Sequence, residues 1–108
     1  MRYEFNLKRG DTAPSIIYAL LPVDTNLTSA TVRFSMSKND GGAVKINRAA
    51  AVVVTATGTP TVRYDWQPAD TDEAGFFSAE FEVTYSGGAV ETFPNSGHIP
   101  VTISPDIA

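Results

Sequence analysis

Polar and apolar residues alternate along most of this chain. Tyr3, Phe5 and Leu7 share one parity, with Arg2, Glu4 and Asn6 on the other. The same period of two recurs in Val32, Phe34 and Met36, in Val44 and Ile46, and in Val62, Tyr64 and Trp66. It is longest in Phe77, Ala79, Phe81, Val83 and Tyr85, and returns in Ile99, Val101 and Ile103. A repeat of two places successive side chains on opposite faces of a strand, so each run predicts a strand with one apolar and one mostly polar face. No helical stripe competes with this pattern. Turn residues separate the runs: Lys8-Arg9-Gly10-Asp11, Asn39-Asp40-Gly41-Gly42, Thr57-Gly58-Thr59-Pro60, Ser86-Gly87-Gly88 and Pro94-Asn95-Ser96-Gly97. Ser86-Gly87-Gly88, between Tyr85 and Val90, reads as a hairpin because glycine takes positive φ without steric cost. The picture is a two-layer antiparallel structure, and the absence of βαβ spacing argues against a parallel sheet.

The parities predict a core. Phe34, Trp66, Phe77, Phe81 and Val101 take the inward positions of five separate strands and should meet between two sheets. The orientations of Phe76 and Phe93 are not fixed by parity. Pro100 cannot donate to a ladder, so it should occupy an edge or a bulge. Gly75 should be needed for its backbone as the chain turns into the strand of Phe77. Two stretches depart from alternation: residues 16–23 and 49–54 are apolar on both parities. Either loops cover their second face, or another subunit does.

Composition narrows the function. One domain over residues 1–108 is expected for a chain of 108 residues, with 43% hydrophobic residues for its core. Eight Lys and Arg against twelve Asp and Glu give a net charge of −4, which disfavours a nucleic-acid groove. The absence of cysteine removes disulfides, thiolate nucleophiles and Cys-ligated metals. The longest apolar run, residues 16–23, is far below the roughly 20 residues of a membrane helix. The alternating start lacks the apolar stretch of a signal peptide, so synthesis without a leader and no membrane partner are expected.

Candidate chemistry is sparse. Asp70-Thr71-Asp72-Glu73-Ala74-Gly75 has the opening of a calcium loop, but Ala74 and Phe81 stand where further oxygen ligands are needed. A turn whose Asp side chains bond local backbone N–H groups explains the cluster better. His98 is the single histidine, and no serine lies in a Gly-x-Ser-x-Gly elbow, so a hydrolase is poorly supplied. Arg9-Gly10-Asp11 spells an integrin-binding tripeptide at a place where the chain needs a turn, and Asn26-Leu27-Thr28 is a formal glycosylation acceptor. The expectation is therefore no enzyme, no catalytic, cofactor-binding or metal-binding residues, and no cofactor.

The corner Asp72-Glu73-Ala74-Gly75-Phe76-Phe77 resembles the turn before strand F of an immunoglobulin-type sandwich, with Phe77 in the slot usually held by tyrosine. A wider likeness runs through Leu7-Lys8-Arg9-Gly10-Asp11-Thr12, residues 30–36, residues 62–72, residues 75–83, Thr92-Phe93-Pro94 and the closing Val101-Thr102-Ile103. Together these resemble the N-terminal immunoglobulin-like domain of the phage baseplate upper protein family and related small domains of tailed-phage structural proteins. The resemblance implies an all-β, immunoglobulin-like antiparallel β-sandwich of about seven to eight strands. It implies a phage or prophage virion protein that docks and scaffolds in baseplate, tail, neck or head, with no catalytic residues. Other virion structural proteins and copies of itself are the implied partners, and the virion is the implied location. The two-sided apolar stretches nominate Ile17, Leu21, Val23 and Val53 as candidate interface residues. The alternative is a carbohydrate- or surface-binding sandwich module, which exposed aromatics on one outer face would favour.

Overall fold

A computed structural model describes residues 4–20, 26–39 and 42–107. The alternating runs form nine strands among these residues: β1 (Phe5–Lys8), β2 (Ile16–Ala19), β3 (Thr31–Lys38), β4 (Val44–Ala50), β5 (Val52–Thr55), β6 (Thr61–Tyr64), β7 (Gly75–Thr84), β8 (Val90–Phe93) and β9 (Ile99–Ser104). A short 3-10 turn, Pro68–Thr71, lies between β6 and β7. The larger sheet has the order β1-β9-β7-β3-β4, with β8 also paired to β7, and the smaller has the order β2-β6-β5. This is the strand order of an immunoglobulin-type sandwich. β2, β6 and β5 stand where strands B, E and D do, and β3, β7 and β9 where C, F and G do. β4 lies beside β3 as an added C′.

Three details depart from the expectation. First, there are nine strands rather than seven or eight. β8 pairs with Phe81 to Thr84 and β9 with Gly75 to Ala79, both antiparallel to β7 and on consecutive parts of it. They are two halves of one long strand, interrupted at residues 94–98, where Pro94 and Gly97 break the ladder. Second, the sandwich is not wholly antiparallel, because β1 runs parallel to β9, with Phe5 opposite Val101 and Lys8 opposite Ser104. No hairpin joins the first and last strands, so nothing forces them to run in opposite directions. Third, β9 is an interior strand, so Pro100 is not on a sheet edge. It pairs with Ser78 of β7, and the β1 register begins only at the next residue, Val101. The β1 side of β9 is thus unpaired at the residue that cannot donate.

The apolar stretch at 49–54 is explained by a change of sheet. β4 ends in the larger sheet at Ala50, Ala51 donates its N–H to the carbonyl of Val32, and β5 continues in the smaller sheet. Further back, β4 carries an extra residue against β3, since Phe34 pairs with Ala49 and Met36 with Ile46. Arg48 takes positive φ (54°) in this bulge. Its N–H donates to Ser35 Oγ at 3.0 Å, and its guanidinium lies 2.6 Å from Glu82.

The five expected core residues are all buried: Phe34, Phe77 and Phe81 at 0% exposure, Val101 at 1% and Trp66 at 3%. Phe34 is their centre. Its ring stacks on Tyr64 at 4.5 Å, meets Trp66 edge-on at 5.6 Å and lies 4.9 Å from Phe81. Phe34 and Phe81 come from the larger sheet, Tyr64 from the smaller, so the contact joins the layers. Gly75 has φ +154°, and a Cβ there would meet the Phe77 ring at 3.4 Å. That distance is an ordinary contact, so the backbone conformation is what explains the glycine.

Truncating Phe81 or Phe34 to Ala should destabilise the fold by about 3–5 kcal/mol, through lost burial and the cavity left behind. Chemical denaturation monitored by far-ultraviolet circular dichroism measures this, and an unchanged midpoint would contradict the core described above. Gly75→Val should also lower the midpoint, through backbone strain at a φ that side chains rarely adopt.

Candidate interaction surface

The outer face of the smaller sheet mixes exposed aliphatic side chains with polar ones. In β2, Ile16 and Tyr18 point inward and Ile17 outward. Cross-strand pairing places Ile17 beside Arg63, and Arg63 beside Val52. The step from Val53 to Thr55 faces only the step from Val62 to Thr61, so Val54 is an extra residue in β5. Ile17, Val52 and Val54 are 51%, 41% and 49% exposed. Ala19 and Thr61 fill the next row. Among the described residues, the outward aliphatic side chains stand exposed.

The nominated interface residues separate. Ile17 lies on this face. Val53 is opposite Val62 on the inner face, half-buried against the core. Leu21 and Val23 lie outside the described residues. Val52 and Val54, which the sequence did not single out, point outward from β5, as does Thr55 opposite Thr61. Residues 49–54 contain no polar position to mark the solvent side, so parity could not say which valines would point out. A cross-strand polar residue, Arg63, was the available signal, since residues opposite it share its face.

The charge on this face is balanced. Arg63 forms two hydrogen bonds to Asp65, Nε to Oδ1 at 2.9 Å and a terminal guanidinium nitrogen to Oδ2 at 3.3 Å. Ser15 Oγ donates to the same Asp65 Oδ1 at 2.6 Å. The Ser15 bond, then Arg63, hold the Asp65 carboxyl below its ordinary pKa. The cation in the middle of the apolar row thus has its counter-ion beside it.

The acidic corner is occupied by its own chain. Asp70 Oδ2 accepts from the Tyr64 hydroxyl at 2.6 Å and from the Gln67 N–H at 2.7 Å, closing a capping box on the 3-10 turn. Burial first, then this bond to Asp70, push the Tyr64 hydroxyl well above its usual pKa. Asp72 pairs with Lys45 and Glu73 with Lys38, both at 2.5 Å. Thr71 is fully buried, donating its hydroxyl to the Asp11 carbonyl at 2.9 Å, while its own carbonyl accepts from Gly10 N–H at 2.8 Å. The Arg9-Gly10-Asp11 turn is tied in the same way, with Arg9 paired to Asp106 at 2.9 Å. Among the described residues, no three acids or imidazoles are placed to hold a metal ion.

His98 is exposed and lines a groove of about 260 Å³ with Ser35, Ser37, Ser78 and Glu80. Glu80 is opposite Ser35, and His98 lies one residue beyond the Ala79–Ile99 pair. The carboxylate therefore stands between the imidazole and the hydroxyl. Nucleophilic catalysis needs the imidazole in the middle, and Ser35 already accepts from Arg48. Of the two undecided aromatics, Phe93 is buried at 1% and Phe76 is exposed at 69%. No family model matches the chain, and no curated protein matches it.

The Glu73 ion pair carries a pH signature. Its bond to Lys38, then the Lys38 charge, lower the Glu73 pKa from the ordinary 4.5. The stabilisation is therefore complete above the ordinary value and is lost as pH falls through the lower folded one. Glu73→Gln should flatten the fall of melting temperature from about pH 5 to 3, as measured by scanning calorimetry. A variant with the same acid profile as the parent would mean that the pair adds nothing.

Proposed function

We propose that this domain is a structural module of a phage or prophage virion, which docks onto other virion proteins and onto its own copies through the outer face of the smaller sheet. The observation that carries the reading is the set of Ile17, Val52 and Val54, aliphatic side chains held outward on short strands around Arg63, whose charge is met by Asp65. A monomeric sandwich needs only one apolar face per strand, and a polar solvent face is the ordinary outcome. Two strands of this sheet, β2 and β5, present aliphatic side chains on both. The segment-by-segment likeness to baseplate-type immunoglobulin-like domains supplies the virion context. The function is burial and shape matching, and it asks for no turnover.

A stable and specific contact of this kind should bury about 1,200–2,000 Å² in total. Ile17→Lys and Val54→Glu should weaken assembly while leaving the β-type circular dichroism spectrum unchanged, because both side chains point away from the core. Sedimentation velocity over a concentration series, alone and with candidate virion proteins, measures this. A monomer at every concentration, with no virion partner and no response to either charge, would defeat the proposal.

A further inference from the structure

The opposite side of the molecule offers a different surface. On the outer face of the larger sheet, Phe76 projects from β7 and is the most exposed aromatic described. Its register neighbour on β9 is Thr102, and the neighbour of Thr102 on β1 is Asn6. On the other side, Asn39 donates its N–H to the Phe76 carbonyl at 3.1 Å. Asn6, Thr102, Phe76 and Asn39 thus form one row across four strand positions, about 14 Å long at the usual strand spacing. The ring separates two shallow grooves. One, of about 290 Å³, is lined by Lys38 and Asn39, and the other, of about 300 Å³, by Thr102, Ser104 and Pro105.

We propose that this row binds a neutral oligosaccharide. The exposed phenyl ring, on an otherwise polar sheet face, offers an apolar surface that a flat apolar ligand face can cover. A pyranose ring has such a surface in its C–H groups, and its hydroxyls radiate in the ring plane. Those hydroxyls need donors and acceptors on both sides of the aromatic, which the Asn6 and Asn39 amides and the Thr102 hydroxyl provide. Asn39 Oδ1 already accepts from Ser78 Oγ at 2.5 Å, which fixes the amide and leaves its N–H₂ to donate. The four residues of the row carry no charge, and the nearby Lys38 is paired with Glu73. Lys8 is exposed one row along β1, opposite Ser104, but the net charge of −4 favours a neutral sugar over an acidic one.

The site lies on the other sheet from Ile17, so it stands or falls separately from the docking reading. The test is a titration of the isotope-labelled protein with cellohexaose, maltohexaose and hexa-N-acetylchitohexaose, alongside an array of neutral and acidic glycans. At least one neutral oligosaccharide should bind, shifting the amide resonances of Asn6, Asn39, Phe76, Ser78 and Thr102. Phe76→Ala should weaken that binding about tenfold, the order expected for losing one stacked ring. Phe76→Tyr should retain it, Ile17→Lys should leave it unchanged, and all three variants should keep the β-type spectrum. No neutral glycan bound, preference for acidic glycans, shifts on the smaller sheet, or full binding by Phe76→Ala would each overturn the proposal.

Discussion

Four aromatic rings meet between the two sheets, and the geometry of that meeting constrains most of the molecule. Phe34 touches Tyr64, Trp66 and Phe81, so a single side chain of the larger sheet fixes how far the smaller one lies and which of its residues point in. Burying Tyr64 there would cost more if its hydroxyl lacked a partner, as the Trp66 Nε1 beside it does among the described residues. Asp70 supplies the acceptor. The 3-10 turn at Pro68–Thr71 is thereby held against the core, and Thr71 in turn holds the loop after β1. The hydrophobic contact and the corner hydrogen bonds form one connected arrangement.

The ion pairs around that corner work differently. Asp72 and Glu73 are substantially exposed, and exposed pairs add little to stability. Their value lies in position, because Lys38 closes β3 and Lys45 belongs to the edge strand β4. The acids draw the corner onto the open side of the larger sheet. The densest acidic cluster in the chain is thus engaged in holding its own fold.

Much of this was legible in the sequence, for a simple reason. Where polar and apolar residues alternate strictly, as in Phe77 to Thr84, parity alone assigns each side chain to a face, and the core residues followed from it. Legibility failed where alternation did. In residues 49–54 every side chain is small or aliphatic, so the inward position of Val53 and the outward positions of Val52 and Val54 depended on pairing with β6. Phe76 and Phe93 were ambiguous for a related reason. Each adjoins a turn, and only the register with β7 and β9 placed one in solvent and the other in the core. The parallel pairing of β1 with β9 is a contact between chain ends, to which local pattern carries no clue.

The broken strand formed by β8 and β9 gives the domain a point of growth. Each half is anchored to β7 by its own register, and the residues between them, 94–98, leave the ladder without carrying it. Lengthening that excursion would change neither the pairing on either side nor the aromatic cluster, and doubling a loop costs only about 0.6 kcal/mol in closure entropy. The fold can therefore accept new sequence in the middle of what is topologically a single strand. Variation in reach or specificity could accumulate there while the sandwich stays as it is.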